Sequence, residues 1–402
     1  MIKAASLFSQ LLKYFPKTEF MHLVSKHKAE RHAKGFSCWT QLVSMLFCHI
    51  AHADSLREIC GGLACCIGKL KHLGIAKSPN KSTLSYANQN RPSSLYEDLF
   101  WTMIQRFREN GHLGARKKKF RFKNKLLSLD STTISLCLNL FPWAKFRRAK
   151  GGVKVHVLLD HDDYMPSFVY ISSAKRHDRT VARGFSLNRG SIVAFDRAYN
   201  DYNLFGQWTE NEVFFVTRLK DNAVYDIVEE YDIPLNRSIL SDQLIRLTGT
   251  KAQEKCPYLL RKIVVWDKEN DREIVLLTNH LIFGSTTIAA IYKDRWEIEV
   301  FFKTLKQHLK VKTFVGTSEN ALRIQIWTAL ISLLLFKFLH YLSKANWSLS
   351  NLATMLRLNL FTYRDLTDWL NNPFGVPPVT PFVQLPLPGF GQLNKNSQIM
   401  GG

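Results

Sequence analysis

The chain has 402 residues, of which 46% are hydrophobic, and this content excludes a largely disordered protein. It carries 55 Lys and Arg against 33 Asp and Glu, a formal net charge of +22. A globular protein this basic is typical of those that bind a polyanion, and nucleic acid is the first candidate.

The first part of the chain shows helical periodicity, interrupted by glycine and proline. Lysines interrupt the apolar stretch at the N-terminus, which is not the layout of a signal peptide. We expect a helical N-terminal DNA-binding region at 1–78 and a helical, basic connector at 79–123. A short helix in the connector would carry side chains of the kind that read base edges, although a generic polar helix fits equally well. These side chains are Tyr86, Asn88, Gln89, Asn90 and Arg91.

Seven cysteines show no paired spacing and no histidine pattern suited to zinc. This usage indicates reduced thiols and a cytoplasmic protein. The basic excess is concentrated between residues 116 and 154, where twelve Lys or Arg accompany a single acid. In its densest part, 116–125, Phe120 and Phe122 alternate with cations, a pattern suited to phosphate contact with some base or sugar packing. A basic linker is the alternative interpretation.

From residue 124 onward the sequence becomes rich in β-branched residues, which predicts strands. We expect an α/β fold whose first part, 124–220, runs as three meandering strands, helix, strand, helix, strand. The strands are predicted at 125–136, 154–160, 167–173, 191–196 and 213–219, and the helices at 178–187 and 200–211. A β-rich stretch at 223–281 and a helix at 287–309 follow.

Three predicted strands contain or end in an aspartate. Asp160 opens a hairpin, so we expect it at an exposed tip, away from any site. Asp130 lies inside the long first strand, where an unpaired carboxylate is costly unless metal or hydrogen bonds satisfy it. Asp196 ends a strand that enters a loop, the usual place for site residues in mixed sheets.

Four polar residues lie in the helix predicted at 287–309. The spacing of these residues places them within an arc of about 60° on the helix surface, beside an apolar stripe. Charge pairs on a solvated helix are the alternative. The set comprises Tyr292, Arg295, Glu299 and Lys306.

Two carboxylates from adjacent strands and one from a packed helix can hold two Mg²⁺ ions about 4 Å apart. We therefore predict Asp130, Asp196 and Glu299 as catalytic metal ligands for two Mg²⁺ ions per site, with Mn²⁺ as a substitute. The Lys154 ammonium and the loop that contains Arg148 are further candidates for DNA contact. The apolar segment 324–342 is flanked by polar residues, so a buried helix fits better than a membrane span.

These motifs carry a family resemblance over about residues 120–345. The helix set matches Y-x2-R-x3-E-x6-K without a gap, and the segments LLSLDSTTI and IVAFDRAYND surround the two aspartates. The chain resembles bacterial insertion-sequence transposases of the DDE class, in the subgroup marked by a Tyr-Arg-Glu-Lys signature. The family usually has glycine where this chain has Ala198.

The resemblance implies a ribonuclease-H-like mixed sheet interrupted by a β-rich insertion at 221–282, with the second part of the catalytic core at 283–345. A helical C-terminal part and flexible tail, 346–402, would complete the chain. The implied activity is a metal-dependent DNA transposase that binds the terminal repeats of its own element, cleaves at the ends and transfers the strands to target DNA. A homodimer would form in the synaptic complex, in the cytoplasm and without a membrane.

By the same resemblance, Tyr292, Arg295 and Lys306 would hold phosphates near the terminal nucleotides. Trp296 would stack on a flipped base, with packing against the insertion as the alternative. Two rival functions remain. One is a catalytically inactive or domesticated DNA-binding protein of the same fold, and the other is a two-metal nuclease without strand transfer.

Overall fold

Helices form the first part of the protein. The computed structural model describes residues 5–31, 33, 35–66, 68–113, 119–147, 150–174, 178–235, 238–309 and 315–375. Serine caps begin several of these helices, as where the Ser37 hydroxyl accepts a hydrogen bond from the Thr40 amide at 3.1 Å. The six helices are α1 (Leu7–Leu11), α2 (Lys17–Lys26), α3 (Cys38–Ala51), α4 (Leu56–Ala64), α5 (Lys81–Asn90) and α6 (Ser94–Glu109).

Within the described residues, ten strands form one mixed sheet in the order β2-β3-β1-β5-β6-β10-β9-β8-β7, with β4 paired to β3. Strands β1, β3 and β4 are the antiparallel meander that the sequence predicts, while β5 and β6 run parallel to β1. The ten are β1 (Leu126–Leu136), β2 (Lys145–Arg147), β3 (Lys150–Asp160), β4 (Met165–Ser173), β5 (Ile192–Phe195), β6 (Phe214–Arg218), β7 (Tyr225–Glu230), β8 (Ile239–Leu247), β9 (Leu259–Asp267) and β10 (Arg272–Thr278).

The β-rich stretch after β6 continues the same sheet. Strand β10 returns antiparallel beside β6, with Leu276 opposite Arg218 and Thr278 opposite Val216. Strands β9, β8 and β7 then add outward, and a hairpin turn joins β9 to β10. The stretch therefore extends the sheet away from β1.

Helices cover both faces of this sheet. Because successive side chains in a strand point to opposite faces, Leu127 and Leu129 pack on one side while Leu126 packs on the other. The first side is covered by α7 (Asp178–Ala182), α8 (Tyr202–Glu210) and α9 (Thr250–Lys255). The second side is covered by α10 (Ser285–Asp294) and α11 (Glu297–Leu309).

A long apolar helix, α12 (Glu319–Leu342), joins the sheet to the N-terminal helices. It packs against α3, α5, α6 and α11 and against the last two helices, α13 (Leu349–Leu358) and α14 (Leu366–Asn371). In the described part of the chain it is the one helix long and apolar enough to cross a membrane, but 89% of its apolar window is buried. This burial agrees with the buried helix predicted from the sequence.

Helix α1 also pairs with the segment that follows α13. The amides of Leu7 and Phe8 donate to the carbonyls of Thr362 and Leu360 at 3.1 and 2.9 Å. The N-terminal helices, α12 and the C-terminal helices therefore share one hydrophobic core.

The structure corrects the expectation that all five polar side chains of α5 could read bases. Asn88 and Arg91 are buried, and the Arg91 guanidinium donates to the side-chain oxygen of Gln41, Oε1, at 3.0 Å. The Gln41 amide in turn donates to Asn88 at 2.8 Å, so this pair joins α5 to α3. Tyr86 remains 70% exposed on the same helix.

Candidate active site

The two predicted aspartates lie side by side at the edge of the sheet. The parallel pairing of β1 with β5 ends at Leu129 opposite Phe195, so Asp130 and Asp196 occupy the next positions in register. Their side chains share the face covered by α10, because Leu126 and Ala194, at even spacing from them, pack in the core beneath that helix. The Asp196 carboxylate caps a short turn by accepting from the Ala198 amide at 3.0 Å.

Ala198 replaces the usual glycine without strain. It lies in a turn of 3₁₀ helix, and the described non-glycine residues with positive φ do not include it. An alanine side chain is therefore accommodated there.

The predicted helix at 287–309 is broken in two, and the expectation of one continuous helix is wrong. Helix α10 ends at Asp294, α11 begins at Glu297, and Arg295 and Trp296 form a tight turn between them. The Trp296 amide donates to the Lys293 carbonyl, three residues back, rather than four. The residue before the break, Asp294, is buried and pairs with His161, a tertiary contact that sequence periodicity does not reveal.

The guanidinium of Arg295 lies between two of the predicted carboxylates. One terminal nitrogen is 2.9 Å from Glu299 Oε1, and the other is 3.9 Å from Asp130 Oδ2. The ring of Tyr292 lies 5.4 Å from the same guanidinium, a cation–π distance. Arg295 is largely buried, with its Nε atom unpaired. The break thus places Arg295 where it neutralises the acids.

Burial and charge perturb Asp130. The pKa of Asp130 is raised to about 6, chiefly because burial removes solvent; the nearby carboxylates of Glu299 and Asp196 contribute to the rise, while the Ser131 amide and Arg295 oppose it. The three predicted acids therefore act electrostatically on one another. A cation among them would stabilise the ionised form of Asp130.

The donor set suits a hard divalent cation, since all three side chains offer carboxylate oxygens. Among the residues that the structure describes, no three acids, histidines or cysteines stand close enough together to hold a metal ion as they are. Arg295 contacts Asp130 and Glu299 in the space between them, so these carboxylates would close on a metal only as Arg295 moves aside. In donor chemistry, the three carboxylates fit a divalent metal.

The other predicted DNA-binding residues have different positions. Trp296 is 60% exposed at the helix break. Lys306 is exposed on α11, about two turns beyond Glu299 and on a similar side of the helix. Lys154 is half-buried and lies on the opposite face of the sheet from Asp130, because the residue opposite Asp130 is Val157. Arg148 lies outside the described residues.

Sequence reasoning missed one cation at the site. Arg218, at the end of β6, is two positions beyond Val216, which pairs with Ala194, so it is in register with Asp196. Its charge acts on the Tyr292 phenol. A signal existed, since Arg218 falls near the end of a predicted parallel strand.

Asp160 is also not where the sequence predicted it. It is buried rather than exposed at a hairpin tip, and it forms ion pairs with Lys125 and, at 3.5 Å, with Arg108. Lys125 lies directly before β1, and Arg108 lies on α6.

The fold and site together define a basic α/β protein with acidic side chains gathered at one sheet edge, beneath a broken helix. The chain belongs to the transposases: the family described as "Transposase DDE domain" matches residues 121–335. Residues 3–76 match a second family, described as "Domain of unknown function (DUF4372)". The site lies within the first match, and α1 to α4 lie within the second.

Named relatives agree with this family. The chain is 32% identical over 311 residues to "Putative transposase y4zB" of Sinorhizobium fredii, covering 76% of this chain and 83% of the relative. It is 31% identical over 256 residues to "Probable transposase for insertion sequence element IS5377" of Geobacillus stearothermophilus, covering 63% of this chain and 67% of the relative. It is 25% identical to "Putative transposase for insertion sequence element IS4SA" of Synechocystis, covering 64% of this chain and 71% of the relative. The chain is thus a transposase of insertion-sequence type, and DNA is its partner.

Proposed function

We propose that this transposase binds the terminal repeats of its insertion sequence, cleaves at the ends and transfers the strands to target DNA by two-metal chemistry. The observation that carries the proposal is the adjacent register of Asp130 and Asp196 beneath the helix break that presents Arg295 and Glu299. The matched Tyr-Arg-Glu-Lys spacing supports membership of that subgroup.

Asp130, Asp196 and Glu299 would hold two Mg²⁺ ions, or Mn²⁺ as a substitute. The metal supplies activation of water or a 3′-hydroxyl and stabilisation of the leaving oxygen. Glu299 lies in the first turn of α11, directly after the helix break. The raised pKa of Asp130 supports a site that favours an added cation.

Arg295 would move from the carboxylates to a DNA phosphate, since a guanidinium binds phosphate oxygens in a bidentate manner. Tyr292 would support it through the ring that already faces the guanidinium. Lys306, exposed further along α11, would bind a phosphate two helical turns away. Trp296 presents an indole at the corner, where it would stack on a flipped base.

Lys154 and Arg148 would contact DNA away from the reacting phosphate. The N-terminal region, 1–78, would bind the terminal repeat, and two copies would meet in a synaptic homodimer. A protein acting on DNA in this manner would work in the cytoplasm. The connector supports this arrangement, because its Lys119 pairs with Asp294, the residue directly before Arg295.

The test uses purified protein, a labelled duplex ending in the element's terminal repeat, a target duplex and Mg²⁺ or Mn²⁺. Glu299→Gln should abolish cleavage and joining while leaving end binding within about twofold, because the fold does not require that charge. Glu297→Gln is the matched control: it lies two residues earlier in the same helix, about 200° around the axis, and should cleave normally.

Each alternative function has its own result. Binding of the terminal repeat without metal-dependent cutting would indicate an inactive or domesticated DNA-binding protein. Cutting without joining, at positions unrelated to the element boundary, would indicate a nuclease. Equal activity of Glu299→Gln and the native protein would refute the assigned site.

A further inference from the structure

A line of three hydrogen-bonded side chains lies behind the acidic site. Ser128 Oγ is 2.6 Å from His161 Nε2, and His161 Nδ1 is 2.6 Å from Asp294 Oδ2. The side chains of His161 and Asp294 are 5% and 1% exposed, and Ser128 is fully buried. Lys119 also donates to Asp294. Although burial favours a neutral carboxyl, the hydrogen bonds from His161 and Lys119 lower the pKa of Asp294.

The order serine, histidine, aspartate is that of a nucleophilic triad, but this line cannot work as one. A triad serine must reach the substrate, whereas Ser128 has no accessible surface. The imidazole is enclosed between the serine and the carboxylate, so both of its nitrogens are engaged inside the protein. The line therefore has another role.

Each member belongs to a different element of the active site. Ser128 lies two residues before Asp130 on β1, on the same face. His161 follows β3, and its amide donates to the Leu126 carbonyl on β1 at 3.1 Å. Asp294 is the last residue of α10, directly before Arg295. The line thus joins the strand of one carboxylate to the helix break that orients the other.

We propose that Ser128, His161 and Asp294 are positioning residues that fix the α10–α11 break against β1, and so hold Glu299 and Arg295 at a working distance from Asp130. The inference rests on the proposed function of those carboxylates. Without the line, α10 and α11 would still pack on the sheet, but the break itself would lose its hydrogen-bonded connection to β1. Two-metal chemistry tolerates little movement of its ligands, and residues that orient ligands typically contribute about 10- to 100-fold to activity.

The test compares Ser128→Ala, Asp294→Asn and the double variant with native protein. Single-turnover cleavage at saturating terminal-repeat DNA should fall about 10- to 100-fold in each single variant, with the DNA Kd within about twofold. The cleavage rate of the double variant should be little lower than that of the slower single variant, because each change breaks the same line of hydrogen bonds.

A matched control separates positioning from general stability. His156 Nε2 and Ser172 Oγ form another buried histidine–serine pair at 3.0 Å, between β3 and β4. His156 lies on the opposite face of the sheet from Asp130, since its strand neighbour Val157 is the residue paired with Asp130. Ser172→Ala should lower the melting temperature by as much as Ser128→Ala, but leave the cleavage rate within about twofold.

A second measurement does not depend on cleavage. Hydrogen exchange of the DNA-free protein should show faster exchange at the amides of residues 296–300 in Asp294→Asn, and unchanged exchange there in Ser172→Ala. Unchanged protection of the break in Asp294→Asn would overturn the proposal whether or not the native protein cleaves. Equal losses of cleavage in Ser172→Ala and Ser128→Ala would also overturn it. If the native protein fails to cleave but the break loses protection, the proposed function fails and the positioning role stands.

Discussion

Replacing Asp130 by asparagine should stabilise the metal-free protein above neutral pH. Burial and the carboxylates of Glu299 and Asp196 raise the pKa of Asp130 from 3.8 to about 6. Between these values the unfolded chain has released a proton that the folded protein still holds, so the free energy of unfolding decreases as the pH rises. The stability contributed by protonated Asp130 is complete below about pH 3.8 and is lost as the pH passes through 6.

The size of the effect follows from that shift. Between pH 3.8 and about 6, each pH unit lowers the free energy of unfolding by about 1.4 kcal/mol, so the native protein loses about 3 kcal/mol in all. Asparagine does not titrate. The stability of Asp130→Asn relative to native protein should therefore increase by about 2 kcal/mol between pH 4.5 and 7.5.

Urea denaturation at a series of pH values, with metal removed by chelator, measures this difference. Asp221→Asn is the control, because its side chain is 91% exposed, and its difference from native protein should stay nearly constant. A constant difference for Asp130→Asn, or one that favours the native protein as the pH rises, would refute the reasoning.

Two further predictions concern the cation between the acids and the packing beneath α8. Arg295→Gln should lower the Mn²⁺ concentration needed for half-maximal thermal stabilisation by about tenfold, because the guanidinium no longer neutralises Asp130 and Glu299; an unchanged midpoint would contradict this. Gly206→Ala should destabilise the protein by about 1 to 3 kcal/mol in urea denaturation, since an added Cβ would lie 2.2 Å from the Lys255 carbonyl oxygen. A variant as stable as native protein would show that α9 can shift at no cost.

Much of the catalytic sheet follows from the sequence. The meander, the two crossover helices and the parallel strands all lie where β-branched runs and turn signals predict them. The adjacency of Asp130 and Asp196 also follows, because each residue ends an apolar run in a strand of the same sheet.

Features fixed by tertiary contacts could not be predicted. Helical periodicity is the same on both sides of Arg295, and the partners of Asp294 beside the break, Lys119 and His161, come from distant parts of the chain. Asp160 looks like a turn residue until Lys125 and Arg108 are brought to it from other elements. The burial of Arg91 could not be predicted for the same reason, since Gln41 and Phe36, which bind its guanidinium, lie about fifty residues away in the sequence.

The shared core of the two chain ends has a consequence for synthesis. Helices α1 to α6 are complete by residue 109, but α12, on which α3, α5 and α6 pack, ends at residue 342. At roughly 5 to 20 residues per second, the ribosome needs about 10 to 50 s to supply the intervening segment. During that interval the apolar faces of α3, α5 and α6 that pack on α12 have no native partner. We therefore expect nascent chains of intermediate length to be chaperone substrates, and the complete protein to fold late, around α12.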